Sequence, residues 1–180
     1  APDAVPPAFC DIYERAFSVG VLSKAYGLPG LRLGWIASQE RDAIGALSRY
    51  KNYLSICCPT PSEALALLAL KHGPAILARN RAIIARNLPV AADFFARHGH
   101  VFRANPPQAG PIAFHALQPD FAARFGSALA FCEHLARSAG VLLLPGNVYD
   151  MQAPYVRMGY GRASFATNLA VLEAWLRRNA

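Results

Sequence analysis

The chain has 180 residues, of which 54% are hydrophobic and only 16% charged, with a formal net charge of +7. That composition supplies a sizeable core and excludes disorder, and no window approaches the ~20 apolar residues that a membrane-spanning helix needs. The basic excess is 15 Arg and 3 Lys scattered along the chain, without the clusters and aromatic interleaving of a nucleic-acid surface, so neither nucleic acid nor membrane is an expected partner.

The sequence opens on Ala1 and a proline-rich stretch (Pro2, Pro6, Pro7), which reads as a processed terminus or a cut through a longer chain. No basic region followed by an apolar run marks a secretory signal there. Residues Ser18 to Leu22 and Leu31 to Ala37 read as buried strands, with Gly27, Pro29 and Gly30 turning the chain between them. Ile44, Leu47, Tyr50 and Leu54 recur at helical spacing and predict a helix from Glu40 to about Leu54. Thr60 then reads as an N-cap, with Pro61 at the first helical position and Glu63 closing a capping box. Gly73-Pro74 ends that helix. A long one follows from about Ala75 to Arg97, with a kink expected at Pro89.

Val101 to Phe102 and Ile112 to Leu117 read as strands, then Ser127 to Ala139 as a helix stopped by Gly140. Val141 to Leu144 and Tyr155 to Tyr160 are further strands. Phe165, Leu169, Leu172 and Leu176 mark a last amphipathic helix, with Arg177 and Arg178 at its C-terminal end. The alternation implies an α/β architecture. Four cysteines (Cys10, Cys57, Cys58, Cys132) include no C-x-x-C pair, so neither zinc nor a disulfide framework is expected, and a reducing cytoplasm fits. His98 and His100 read as a polar turn after a helix rather than a metal site.

The segment with chemistry in it runs from Ser23 to Trp35. Lys24 follows an apolar strand and precedes a Gly/Pro-rich turn. A lysine among apolar neighbours loses hydration of its charged form, and the neutral amine is what attacks an aldehyde. Eight residues on, Arg32 returns toward the same place with a fork of donors that suits a phosphate. A Schiff-base lysine with a phosphate-binding arginine is what an aldehyde cofactor with a phosphate tail requires.

Ser23, Lys24, Gly27, Gly30, Arg32 and Gly34 together match S-K-x-x-G-x-x-G-x-R-x-G, and the string closely resembles the signature of class I/II aminotransferases. The resemblance implies the C-terminal part of a fold type I pyridoxal-phosphate enzyme. It implies that Lys24 carries the cofactor, that Arg32 binds its phosphate, and that Ser23 assists. Val21 departs from the Ser or Thr that many members have three residues before the lysine. Arg157, in the apolar strand Tyr155 to Tyr160, matches the arginine that clamps the substrate α-carboxylate, with Arg162 a weaker candidate that reads better as structural. The resemblance extends through Lys51-Asn52-Tyr53, the loop from Pro107 to Pro111 and the run Val141 to Gly146. Two segments, Tyr50 to Glu63 and Gly159 to Phe165, are similar to the capreomycidine synthase branch.

The family's glycine-rich phosphate loop, ring-stacking aromatic, Asn, and Asp–Tyr pair lie upstream of its lysine, and the 23 residues before Lys24 do not match them. Asp11 and Tyr13 stand closer to the lysine than the family's pair does. The expected organisation is 1–75 as the end of a large domain with a parallel-type sheet, 76–98 as a linking helix and 99–180 as an α/β small domain. The implied function is amino-group transfer between an amino acid and a 2-oxo acid, in an enzyme whose relatives are homodimers. Elimination or cyclisation of the capreomycidine synthase type is one alternative. A non-catalytic remnant, a truncated product or one part of a split enzyme is another.

Overall fold

The computed structural model describes residues 6–152 and 154–179. The opening at Pro2 lies outside the described residues. The chain forms two compact units, Ala1–Ala78 and Arg79–Ala180.

The first unit begins with a single helical turn, α1 (Phe9–Ile12), and a hairpin of β1 (Phe17–Val21) and β2 (Gly34–Ser38). Phe17 pairs with Ser38 and Val21 with Gly34, antiparallel. A parallel-type sheet is therefore not what these two strands make with each other. Only the turn-rich stretch 22–33 joins them, without the crossover helix that parallel neighbours usually need. The second strand also starts later than expected. Pro29–Leu31 is one turn of 3₁₀ helix and Arg32 is left-handed (φ 51°), so extended backbone resumes only beyond Leu33. Gly20 faces Trp35 across the hairpin, where a Cβ would run into the indole ring. Two helices follow, α2 (Arg41–Ser55) and α3 (Thr60–Lys71). Thr60 is the first helical residue rather than the cap, because Pro59 supplies the extended N-cap and its carbonyl takes the Glu63 amide at 3.1 Å. No capping box forms at α3.

Helix α4 (Gly73–Arg97) is continuous through Pro89. Pro89 lies on its exposed side, where water can take the Ala85 carbonyl that loses its helical donor.

In the second unit β3 (Phe102–Arg103), β4 (Ile112–Leu117), β5 (Leu144–Pro145) and β6 (Tyr155–Gly159) form a sheet in the order β3-β4-β6-β5, every pair antiparallel. A short helix α5 (Pro119–Ala123), then α6 (Ala128–Ala139) and a C-terminal helix α7 (Phe165–Asn179) complete it. Side chains alternate across the sheet. Ala113, Val156 and Met158 join Phe94, Phe95, Phe131, Leu135, Leu172 and Trp175 in one core. Val141 to Leu143 do not pair. The chain leaves α6 through left-handed Gly140 (φ 67°) and meets β6 only at Leu144.

His98 and His100 stand in the turn that follows α4, as expected, but His98 is buried there, with Nε2 at 3.4 Å from Glu173 on α7. Arg97 grips the same carboxylate through Nε at 3.0 Å and Nη2 at 3.3 Å, and these bonds hold Glu173 below the ordinary carboxylate range. All four cysteines are free. No described helix is long and apolar enough to cross a membrane.

Candidate active site

The stretch between β1 and β2 is built from the Leu22 pivot outward. Leu22 is fully buried, its amide donates to Leu33 O at 3.2 Å, and its carbonyl accepts from Leu28 at 3.0 Å. These bonds close the neck of the loop. Ser23 and Arg32 each stand one residue inside the Leu22–Leu33 bond, at the base of the same loop. Lys24 follows in a tight turn that closes from Gly27 N–H to Lys24 O at 3.1 Å, with Gly27 at φ 67°. Tyr26 packs against Gly73, where a Cβ would stand 3.1 Å from its hydroxyl.

Lys24 is solvent-exposed, and its amine has no partner among the described residues. The dry surroundings expected from its apolar neighbours are therefore not supplied by this unit. Only Leu22 of the apolar residues beside Lys24 is buried. Arg32 bonds locally, Nη1 to Pro29 O at 3.0 Å, which keeps the guanidinium over the turn and leaves its other donors without a partner among the described residues. Ser23 is half-buried. An amine, a guanidinium with spare donors and a hydroxyl on one loop fit an aldehyde cofactor bearing a phosphate.

Arg157 lies in the second unit, on β6 between the buried Val156 and Met158 and on the opposite face of the sheet from them. Its row across the sheet is Phe114–Arg157–Leu144. The side chain is half-buried, donates from Nη1 to the Tyr149 hydroxyl at 2.6 Å and stands 5.5 Å over the Tyr149 ring. No carboxylate pairs with it among the described residues. A cleft of about 470 Å³ is lined by Arg157, Gly159, Arg162 and Asn168, among others. Arg162 is exposed, and its carbonyl accepts from the buried Asn87 amide at 2.8 Å, a bond that anchors the start of α7.

Two features here are absent from the sequence reading. Tyr149 follows the Pro145-Gly146 step by three residues, and an aromatic there is the one sequence sign that a side chain is set against β6. The buried His115–Tyr160 pair, 2.7 Å between Nε2 and the hydroxyl, has no local sequence sign, because the two residues are 45 positions apart.

The family model for aminotransferase class I and II matches residues 1–178. The chain belongs to that family. It is 31% identical over 169 residues to capreomycidine synthase of Streptomyces vinaceus, covering 93% of this chain and 42% of that protein. It is 33% identical over 161 residues to the putative aminotransferase AatC of Rhizobium meliloti, covering 87% of this chain and 38% of that one. A pyridoxal-phosphate-dependent aminotransferase structure from Streptococcus suis superposes with TM-score 0.85 at 31% identity, over 97% of this chain and 45% of that one. The pyridoxal-phosphate-dependent cyclase OrfR superposes at 0.81 with 26% identity, over 91% of this chain and 44% of its own. The chain thus spans about 40% of the length of the curated relatives it matches.

Proposed function

We propose that this chain is the lysine-bearing part of a pyridoxal-phosphate-dependent aminotransferase that moves an amino group from an amino acid to a 2-oxo acid. The observation behind the reading is the β1–β2 loop, which holds Lys24 with a free amine, Arg32 with spare donors, and Ser23 at one neck. In this reading 1–75 ends the large cofactor domain, 76–98 links, and 99–180 is the small domain. The whole enzyme is read as a cytoplasmic homodimer.

Lys24 Nζ is the attachment point for the cofactor, Arg32 binds the phosphate as a charged fork, and the Ser23 hydroxyl adds a donor. Bound pyridoxal phosphate supplies the sink for the electron pair left at the substrate α-carbon. Arg157 holds the substrate α-carboxylate. Lys24 Nζ, freed when the substrate amine takes its place, removes the α-proton as general base and delivers it as general acid.

The test is borohydride reduction of the chain with pyridoxal phosphate, followed by peptide mass mapping. The tag is expected on Lys24. Lys51 already donates to Ser55 at 2.8 Å, and Lys71 lies outside the loop. Equal labelling of Lys24, Lys51 and Lys71 contradicts the assignment.

The likeness to capreomycidine synthase and to OrfR favours a second reading, elimination and ring closure on the same Lys24 and Arg32. The two readings share their first proton transfer. Product analysis of the complete enzyme separates them, a 2-oxo acid for the first and a cyclised amino acid for the second.

A further inference from the structure

We propose that Tyr149 is the positioning residue for Arg157, holding its guanidinium so that the Nε–Nη2 edge is presented to an incoming carboxylate. The proposal rests on the reading of Arg157 as the carboxylate clamp.

Tyr149 closes the one-turn segment Gly146–Tyr149, which is fixed on both sides. Behind it, left-handed Asp150 (φ 57°) turns the chain back, and Met151 N–H returns to Gly146 O at 3.2 Å. In front, Gly146 lies so close to β6 that a Cβ would stand 2.9 Å from the Tyr155 Cβ. Only glycine lets the turn press against the strand, and that approach sets the phenol beside Arg157. The ring is also held edge-on to Phe114, with centroids 5.1 Å apart at 79°. Phe114 is Arg157's partner across the sheet, so strand, turn and ring form one frame.

The hydroxyl accepts from Nη1 at 2.6 Å and the ring face lies 5.5 Å beneath the guanidinium carbon. These two contacts engage one corner of a planar fork and one of its faces. Nε and Nη2, two parallel donors, have no protein partner among the described residues. That edge matches the two oxygens of a carboxylate. An arginine without Tyr149's hydroxyl has to be ordered from several rotamers on binding, a cost the preset geometry removes.

The experiment compares the purified 180-residue chain with its Tyr149→Phe and Arg157→Ala variants. Phenylalanine keeps the ring under the guanidinium and against Phe114, and removes only the hydroxyl. Ligand-detected NMR titrations use pyruvate and its uncharged isostere pyruvamide. Urea unfolding followed by Trp175 fluorescence, with each variant also made in a Trp35→Phe background, checks that the fold of the second unit is kept. The parent is expected to prefer pyruvate, and Tyr149→Phe to bind pyruvate about three- to tenfold more weakly with pyruvamide unaffected. A lesion of the fold moves both ligands together, so the difference between them isolates the positioning role. A Tyr149→Phe chain that keeps the parent's preference overturns this inference alone. A parent with no preference, or an Arg157→Ala chain that retains it, overturns the clamp reading and this inference with it.

Discussion

His115 is fully buried on β4, and its Nδ1 accepts the Asn105 amide at 3.0 Å. A neutral ring with that nitrogen as acceptor carries its proton on Nε2, which donates to the Tyr160 hydroxyl at 2.7 Å. Burial holds the imidazole down at about 4, from an ordinary 6.5, and pushes the Tyr160 phenol up to about 12. The pair is therefore neutral across the physiological range. In the unfolded chain the ring takes up its proton as pH falls through 6.5, whereas in the fold it resists until about 4. The unfolded state binds more protons between those values. The stabilisation is complete above pH 6.5 and drains away as pH falls toward 4, by up to about 3 kcal/mol. In a Trp35→Phe background, Trp175 reports the second unit alone. Its urea midpoint is expected to fall between pH 7 and pH 4.5, and a midpoint constant over that range would contradict the neutral-ring assignment.

At the scale of elements, α6 is the helix whose ends are most completely specified by its own residues. Ser127 Oγ accepts from Ala130 N–H at 3.0 Å at the start, and left-handed Gly140 closes the end. Its inner face buries Phe131, Cys132 and Leu135. Replacing Ser127 by Ala removes the cap without touching the core and is expected to cost about 1 kcal/mol, while Ser127→Asp retains most of it. The same Trp175 transition measures both variants. An unchanged midpoint in Ser127→Ala would mean that packing of the apolar face alone sets this helix. The contrast with α3 is instructive. Thr60, Pro61 and Glu63 carry the letters of a capping box, but Pro59 is already extended and the helix begins one residue early.

For the whole molecule the two units differ in what they bury. In the first, Leu22, Ala66 and Ala69 are the only buried hydrophobic residues among those described, while Phe17, Val19, Ile36, Leu47, Tyr50 and Leu54 are exposed. The second unit holds one core cluster of buried residues drawn from Ala91 to Leu176. Apolar faces of that extent, on a two-stranded sheet with open edges, invite association. The 180-residue chain is expected to self-associate at micromolar concentration in sedimentation velocity and to bind a hydrophobic dye. It is also expected to take up the cofactor weakly and turn over little, since the chain spans 42% of its capreomycidine synthase relative. A monodisperse monomer with robust transamination, abolished by Lys24→Ala, would overturn that expectation.

Sequence alone determined the features that are local. The spacing of Ile112 to Leu117 and of Phe165 to Leu176 placed β4 and α7, because side-chain period is a property of a single element. Gly27 and Pro29 beside Lys24 marked the loop, because a left-handed turn favours glycine wherever it occurs. Tertiary structure decided what depends on distant partners. It made the Phe17–Val21 hairpin antiparallel, left Lys24 exposed, set Tyr149 under Arg157 and sealed His115 against Tyr160. Burial and side-chain pairing are set by what packs from elsewhere in the chain, and no run of neighbouring residues encodes that.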